Sequence, residues 1–297
     1  MAEPKLADWA AVWQDGGPVD PRNNIDTASL IAAQPELAGV QIFDLDIPGV
    51  PARRYSPPDP ADHLLVWMHG GAFVAGNLDM PEANWVALAI AARGSHVLSI
   101  DYRKAHRGVH FPLPLDDVLT AWVWAQSQGF SADRIHIGGA SAGAALAASA
   151  VLSLRDSEGI LPASVVLAYP IVHPELPPPA TDLAARLAGL DDSLVFSAPL
   201  VDEISRNYIG RDGDLGDGYA FAGNGELHGH PPTYIINSDR DSLRASGELY
   251  ARQLLDAGTK VIVEFEPDTT HGHLDQPHSD GAQRSVARIA HWLRFGA

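Results

Sequence analysis

The sequence predicts an α/β fold: a mostly parallel central sheet of about eight strands flanked by helices, with a helical cap over one edge. Three observations carry this. Short apolar, β-branched runs alternate with longer helix-spaced segments from residue 40 onward. Six of those runs are mainly apolar and do not alternate in polarity, as expected of strands covered on both faces. Two segments, 1–38 and 173–230, interrupt the alternation without offering a clear strand.

Taken in order, VQIFDLDI (40–47) and the run through Arg53 and Arg54 alternate in polarity and read as half-exposed strands. LLVWM (64–68), HVLSI (96–100), RIHIG (134–138), SVVLAYP (164–170), TYIINS (233–238) and KVIVEF (260–265) read as strands buried on both faces. Between them PEANWVALAIAARG (81–94) opens on proline and closes on glycine, the asymmetry of a helix. PLDDVLTAWVWAQSQG (114–129) also stops at glycine, and 141–159 is rich in alanine and leucine, strong helix formers. Segments 241–258 and 279–296 complete the helices, and right-handed crossovers should join the parallel strands. The expected organisation is an N-terminal cap segment (1–38), a first core part (39–172), a cap insertion (173–230) and a second core part (231–297). The two interruptions are read as a lid over the carboxyl edge of the strands, where open α/β sheets bind ligands.

Composition removes several function classes. The net charge of −17 opposes binding to nucleic acid or to anionic membranes, whose phosphates reward basic surfaces. The absence of cysteine excludes disulfides, thiolate catalysis and cysteine-ligated zinc. No apolar stretch approaches the roughly 20 residues of a spanning helix. The start, MAEPKLADWAAVWQDGG, lacks a basic head and apolar core, so no secretory signal and a cytoplasmic location are expected.

The chemistry centres on IHIGGASAG (135–143), where an apolar strand ends on glycines and a single serine, Ser141, precedes an alanine-rich helix. Gly139 and Gly143 flank it at two residues on either side, a spacing that permits a sharp strand-to-helix elbow lifting the hydroxyl out of the sheet. A serine needs a base to become nucleophilic. Among thirteen histidines, His271 in EFEPDTTHGHL lies just past the last strand, at the same rim as Ser141. An acid must orient the imidazole, and SDRDSLR after TYIINS offers Asp239 and Asp241. Attack on a carbonyl creates an oxyanion, and WMHGGAF (67–73) presents the N–H groups of Gly70, Gly71 and Ala72, with that of Ala142 beyond the nucleophile.

Together His69-Gly-Gly-Ala72-Phe73, Asp101-Tyr-Arg103 followed by Phe111-Pro112 and Asp117, Gly139-Ala-Ser141-Ala-Gly143, Asp241-Ser-Leu-Arg244 and His271-Gly272 resemble the hormone-sensitive-lipase family of α/β-hydrolases. The resemblance runs from about residue 63 to the end and implies a carboxylic ester hydrolase of α/β-hydrolase fold. It assigns Ser141 as nucleophile, His271 as general base and acid, and Asp241, rather than Asp239, as the orienting acid. It also makes Gly71, Ala72 and Ala142 the main oxyanion donors under a helical cap. Three departures stand out: Ala140 replaces a usually acidic residue, Ala72 replaces the third glycine, and KAHRGVH intervenes before Phe111.

Phe73 beside the compact Ala72 is expected to border the substrate, favouring a short or medium acyl group. His69 is assigned to loop support, and Asp117 with Arg103 to a buried ion pair. The expected partner is a small-molecule ester, with room for a homodimer and no cofactor. Rival readings are amide hydrolysis or acyl transfer on the same three residues, a binding protein on this scaffold, and metal-dependent hydrolysis. The last would draw on His271, His273, Asp275 and His278, or on His228 and His230. No helical H-x-x-x-H pair supports it, and no metal is expected.

Overall fold

The computed structural model describes residues 24–296. The first 23 residues of the expected N-terminal cap segment therefore lie outside the described residues. Residues 24–38 form helix α1 (Thr27–Ala33) and a 3₁₀ turn at Pro35–Leu37. The side chain of Asp26 caps α1 by accepting the N–H of Ser29 at 3.0 Å.

Eight strands make one sheet: β1 (Gln41–Ile47), β2 (Val50–Ser56), β3 (Leu64–Met68), β4 (His96–Ile100), β5 (Ile135–Ala140), β6 (Val165–Ala168), β7 (Thr233–Ser238) and β8 (Val261–Glu266). Their order is β1-β2-β4-β3-β5-β6-β7-β8. The pairs β1/β2 and β2/β4 are antiparallel, and the rest are parallel. Helix α2 (Pro81–Ala91) carries the chain from β3 to β4 on one side. Helix α3 (Leu113–Gln126) then carries it back across β3 to β5, and α4 (Ala142–Asp156) leads on to β6. The strand order thus reverses between β3 and β5, and the carboxyl ends of two strands adjacent at a reversal leave a crevice between their outgoing loops.

The apolar runs explain the two cores. On one face α2 and α8 (Asp280–Phe295) bury Trp85, Leu88, Val286, Ile289 and Trp292 against the sheet. On the other, α3, α4 and α7 (Arg244–Asp256) bury Trp122, Leu146, Leu152, Tyr250 and Leu254. One expectation needs correcting. The run at 260–265 is not covered on both faces: β8 lies at the sheet edge, paired with β7 on one side, and Ile262 and Phe265 are exposed there.

The insertion 173–230 contains α5 (Thr181–Leu187) and α6 (Ala198–Ile209). Helix α6 buries Leu200, Val201, Ile204 and Tyr208 along one stripe, the spacing of an amphipathic helix laid on a core. Helix α5 is held by charge: Arg186 meets Asp239 at 2.7 Å, and Asp182 meets Arg244 at 2.8 Å, both partners sitting just beyond β7. Among the described residues no helix is long and apolar enough to cross a membrane.

At the opposite edge a buried histidine relay makes stability depend on pH on the acid side. Arg134 donates to His63 Nε2 (2.7 Å), so His63 carries its proton on Nδ1 and donates to His136 Nε2 (3.0 Å). His136 in turn donates from Nδ1 to Ser164 Oγ (2.8 Å), which also accepts the Trp292 indole N–H (2.9 Å). Protonating either ring would set donor against donor. Burial, with the charges of His63 and Arg134, pulls the His136 imidazole down to about 3. An unfolded histidine takes up a proton below about 6.5, whereas this folded one does not, so its contribution is complete above 6.5 and is lost as pH falls from there toward 3. Between pH 7.5 and 5 the unfolding free energy should drop by about 2 kcal/mol from His136 alone. Urea midpoints at the two pH values check this, and the difference should shrink in His136→Gln.

Candidate active site

The crevice between β3 and β5 is where the sequence-selected residues converge. Strand β5 ends at Ala140, Ser141 turns with φ 52° and ψ −117°, and α4 begins at Ala142. Such a conformation costs a non-glycine residue about 1–3 kcal/mol and persists only where surroundings impose it. Here the Ser141 N–H donates to the Ala168 carbonyl (2.9 Å), tying the elbow to β6. The flanking glycines serve close approach. A Cβ on Gly143 would collide with the backbone of Met68 and His69, and one on Gly139 with the backbone of Gly143.

The structure brings His271 and Asp241 to this hydroxyl. His271 Nε2 lies 2.9 Å from Ser141 Oγ, and its Nδ1 lies 2.7 Å from Asp241 Oδ2. Asp241 accepts from Nδ1–H, which leaves Nε2 to accept the serine proton. The other Asp241 oxygen accepts the N–H of Leu243 at 2.9 Å, so the buried carboxylate is satisfied on both sides. Burial pulls the His271 imidazolium down, but Asp241, by charge and hydrogen bond, and Glu82, by charge, more than offset it. The net shift is upward from the ordinary value. Phe196 from the cap insertion and Tyr169 after β6 meet the imidazole edge-on, at 4.6 and 5.0 Å between ring centres. Asp239, the alternative acid, is instead paired with Arg186 and Arg244.

The loop after β3 runs beside Ser141. Gly71, Ala72 and Phe73 all take positive φ (114°, 52° and 64°). The N–H groups of Gly71, Ala72 and Ala142 have no acceptor among the described residues. Gly70 differs from expectation, because its N–H is donated to the Glu82 carboxylate and is thereby withdrawn from the donor set. Phe73 also differs: at 1 % exposure it stacks on Tyr208 of α6 (4.0 Å), so its ring joins loop to cap instead of lying open to a substrate.

Below the loop, the His69 ring stacks on Tyr102 (4.7 Å) and its Nδ1 donates to the Gly70 carbonyl (2.6 Å). The Tyr102 hydroxyl donates to the carbonyl of His69 (3.0 Å). The Arg103–Asp117 pair forms, with a buried carboxylate but a guanidinium half-exposed.

The histidine clusters are divided among separate partners. His273 is bonded to Ser238 and Ser285, both at 2.8 Å, and Asp275 accepts the Glu82 N–H at 3.1 Å. His230 is buried against Thr233, while His228 is exposed. Among the described residues no group of three or more histidines and acids could hold a metal ion.

Sequence reasoning missed Glu82, Tyr169, Phe196 and Tyr208. An acid near a helix start is ordinary, favoured by the helix dipole. The usable signal for Glu82 was that α2 is apolar nearly all round, which forces its acid inward. The aromatic residues carried no local signal, since their partners lie far along the chain.

A family model described as alpha/beta hydrolase fold matches residues 65–275. Carboxylesterase NlhH of Mycobacterium tuberculosis is 30% identical over 237 residues, covering 76% of this chain and 72% of its own. Among solved structures, esterase E25 is 29% identical with a TM-score of 0.78, over 98% of this chain and 86% of that one. An esterase from the bacterial hormone-sensitive lipase (HSL) family shares the fold at 24% identity, with a TM-score of 0.78 over 99% of each chain.

Proposed function

This chain belongs to the hormone-sensitive-lipase-like carboxylesterases of the α/β-hydrolase fold, and from that premise we propose that it cleaves small esters through Ser141, His271 and Asp241. The observation that carries the reading is the unbroken hydrogen-bonded line from Ser141 Oγ through His271 to Asp241, beside N–H groups without acceptors. Ser141 Oγ attacks the ester carbonyl while His271 Nε2 takes its proton, and Asp241 stabilises the imidazolium so formed. The oxyanion receives hydrogen bonds from Gly71, Ala72 and Ala142, each donor being worth about 3 to 4 kcal/mol in the transition state. The carbon–oxygen bond to the alcohol breaks as His271 returns the proton to the leaving oxygen. Water, deprotonated by the same histidine, then releases the acid from Ser141.

The acyl group is short or medium. Support comes from the cap packed down on the loop: Tyr208 of α6 stacks on Phe73, the residue after Ala72, and meets Phe221 edge-on (5.8 Å).

A chromogenic ester series from acetate to palmitate, assayed across pH, tests both parts. Turnover should favour acetate and butyrate over palmitate; a clear preference for palmitate would sink the acyl-length reading. His271 must be neutral to act as base, and its pKa is raised. Activity should therefore be full at alkaline pH and fall as pH drops through a midpoint above the ordinary histidine value of about 6.5. A profile flat from pH 5 to 8 would remove His271 from the mechanism.

A further inference from the structure

Helix α2 is buried along its whole length, yet its second residue is an acid. A buried charge lacking partners costs several kcal/mol, so the partners of Glu82 matter. One oxygen accepts the Gly70 N–H and the other accepts the Tyr169 hydroxyl. Both partners touch the proposed site. Gly70 lies between the Glu82 carboxylate and Ser141, since a Cβ added there would contact both, and it directly precedes the proposed donor Gly71. Tyr169 departs from β6 at φ 38° and sets its ring edge against His271.

We propose that Glu82 is a positioning residue: through Gly70 it fixes the oxyanion loop, and through Tyr169 it ties that loop to the catalytic histidine. The proposal rests on the serine-esterase reading of Ser141 and His271. A single buried carboxylate thereby sets the geometry of donors and base together, two parts contributed by β3 and β8 that share no direct bond. It also acts by charge. The titratable groups around His271 are Asp241, Tyr169, Glu82 and His273; those around Glu82 are Tyr169, Tyr102, Asp275 and His271. Burial raises the Glu82 carboxyl, against the pull of Tyr169 and Gly70, while burial and the Glu82 charge drive Asp275 well above the carboxylate range. Of the two acids Glu82 receives a donor on each oxygen and Asp275 the Glu82 N–H on one, which favours the charge on Glu82. That charge favours the His271 imidazolium.

The test is steady-state hydrolysis of a short chromogenic ester across pH by wild type, Glu82→Gln, Glu82→Ala and Tyr169→Phe, with Ser141→Ala as control. Glu82→Ala should lower kcat by about 10- to 100-fold with KM within about threefold, because misaligned donors are missed in the transition state more than in the bound ester. Tyr169→Phe should lose less, about three- to tenfold. Glu82→Gln retains an acceptor for Gly70 and should restore most of kcat, while its acid limb moves to lower pH by about half a unit for want of the charge. An unmoved limb in Glu82→Gln overturns the proposal, as does a Glu82→Ala whose loss falls on KM alone. Should Glu82→Ala not fold, the isosteric Glu82→Gln carries the decision. If Ser141→Ala is inactive while every Glu82 variant behaves as wild type, only this proposal fails. If Ser141→Ala keeps turnover, the serine reading fails and takes the proposal with it.

Discussion

Replacing Ser141 with alanine is expected to lower kcat/KM for a short ester by about 10⁴- to 10⁶-fold while leaving the protein folded. Three residues that act as a unit lose most of their effect with the first removed, and the nucleophile is the member no neighbour can replace. What survives is catalysis by the oxyanion donors and by binding alone. The fold should tolerate the change, because the elbow is held by the Ser141 backbone N–H on Ala168 and by glycine contacts, not by Oγ. Alanine also takes up positive φ at a cost similar to that of serine. Hydrolysis rates and a thermal scan side by side check both halves. A variant that folds normally and keeps a tenth of the wild-type rate would require a different nucleophile.

Gly143→Ala is expected to destabilise the protein by about 3 kcal/mol or more, lowering Tm by roughly 6 to 12 °C. Helix propensity alone predicts the reverse, since alanine in place of glycine inside a helix gains about 1 kcal/mol. Packing decides the sign. Gly143 lies in the first turn of α4, and the added methyl would press on the carbonyl oxygens of Met68 and His69 at the end of β3. Both are fixed: β3 is paired on two sides, and the His69 carbonyl accepts the Tyr102 hydroxyl. Relief would have to move α4 or the loop carrying Gly71 and Ala72, so activity should fall further than stability implies. A Tm that rises by a few degrees would mean that propensity governs this position and that the contact is softer than described.

Much of this was legible locally. Ser141 is announced by glycines at fixed offsets between a strand and a helix, because an elbow is a short-range backbone event whose requirements are written in neighbouring residues. Chain order placed His271 and an aspartate at the same rim, since parallel strands send all their carboxyl ends to one edge. The choice between Asp239 and Asp241, two residues apart, needed the resemblance. In the folded chain the distinction is physical: Asp241 faces the imidazole, while Asp239 faces Arg186 and Arg244. The run at 260–265 shows the limit of composition. A strand apolar enough for a sheet interior lies at the edge, because lateral position is set by strand order, which the composition of a single run does not encode.

The sequence by itself determined the α/β alternation, the elbow and the candidate serine, histidine and aspartate at one rim, all of which depend on periodicity, turn chemistry and chain order. Only the tertiary structure decided which backbone donors stay free, what surrounds the imidazole and where the Phe73 ring goes. Glu82 reaches Gly70 from another helix, Tyr169 arrives from β6, and Tyr208 comes from the cap. The physical reason is range. A turn is fixed by residues two or three apart, whereas a buried carboxylate takes whichever donors packing brings within about 3 Å, and for Glu82 those lie 12 and 87 residues away in the chain.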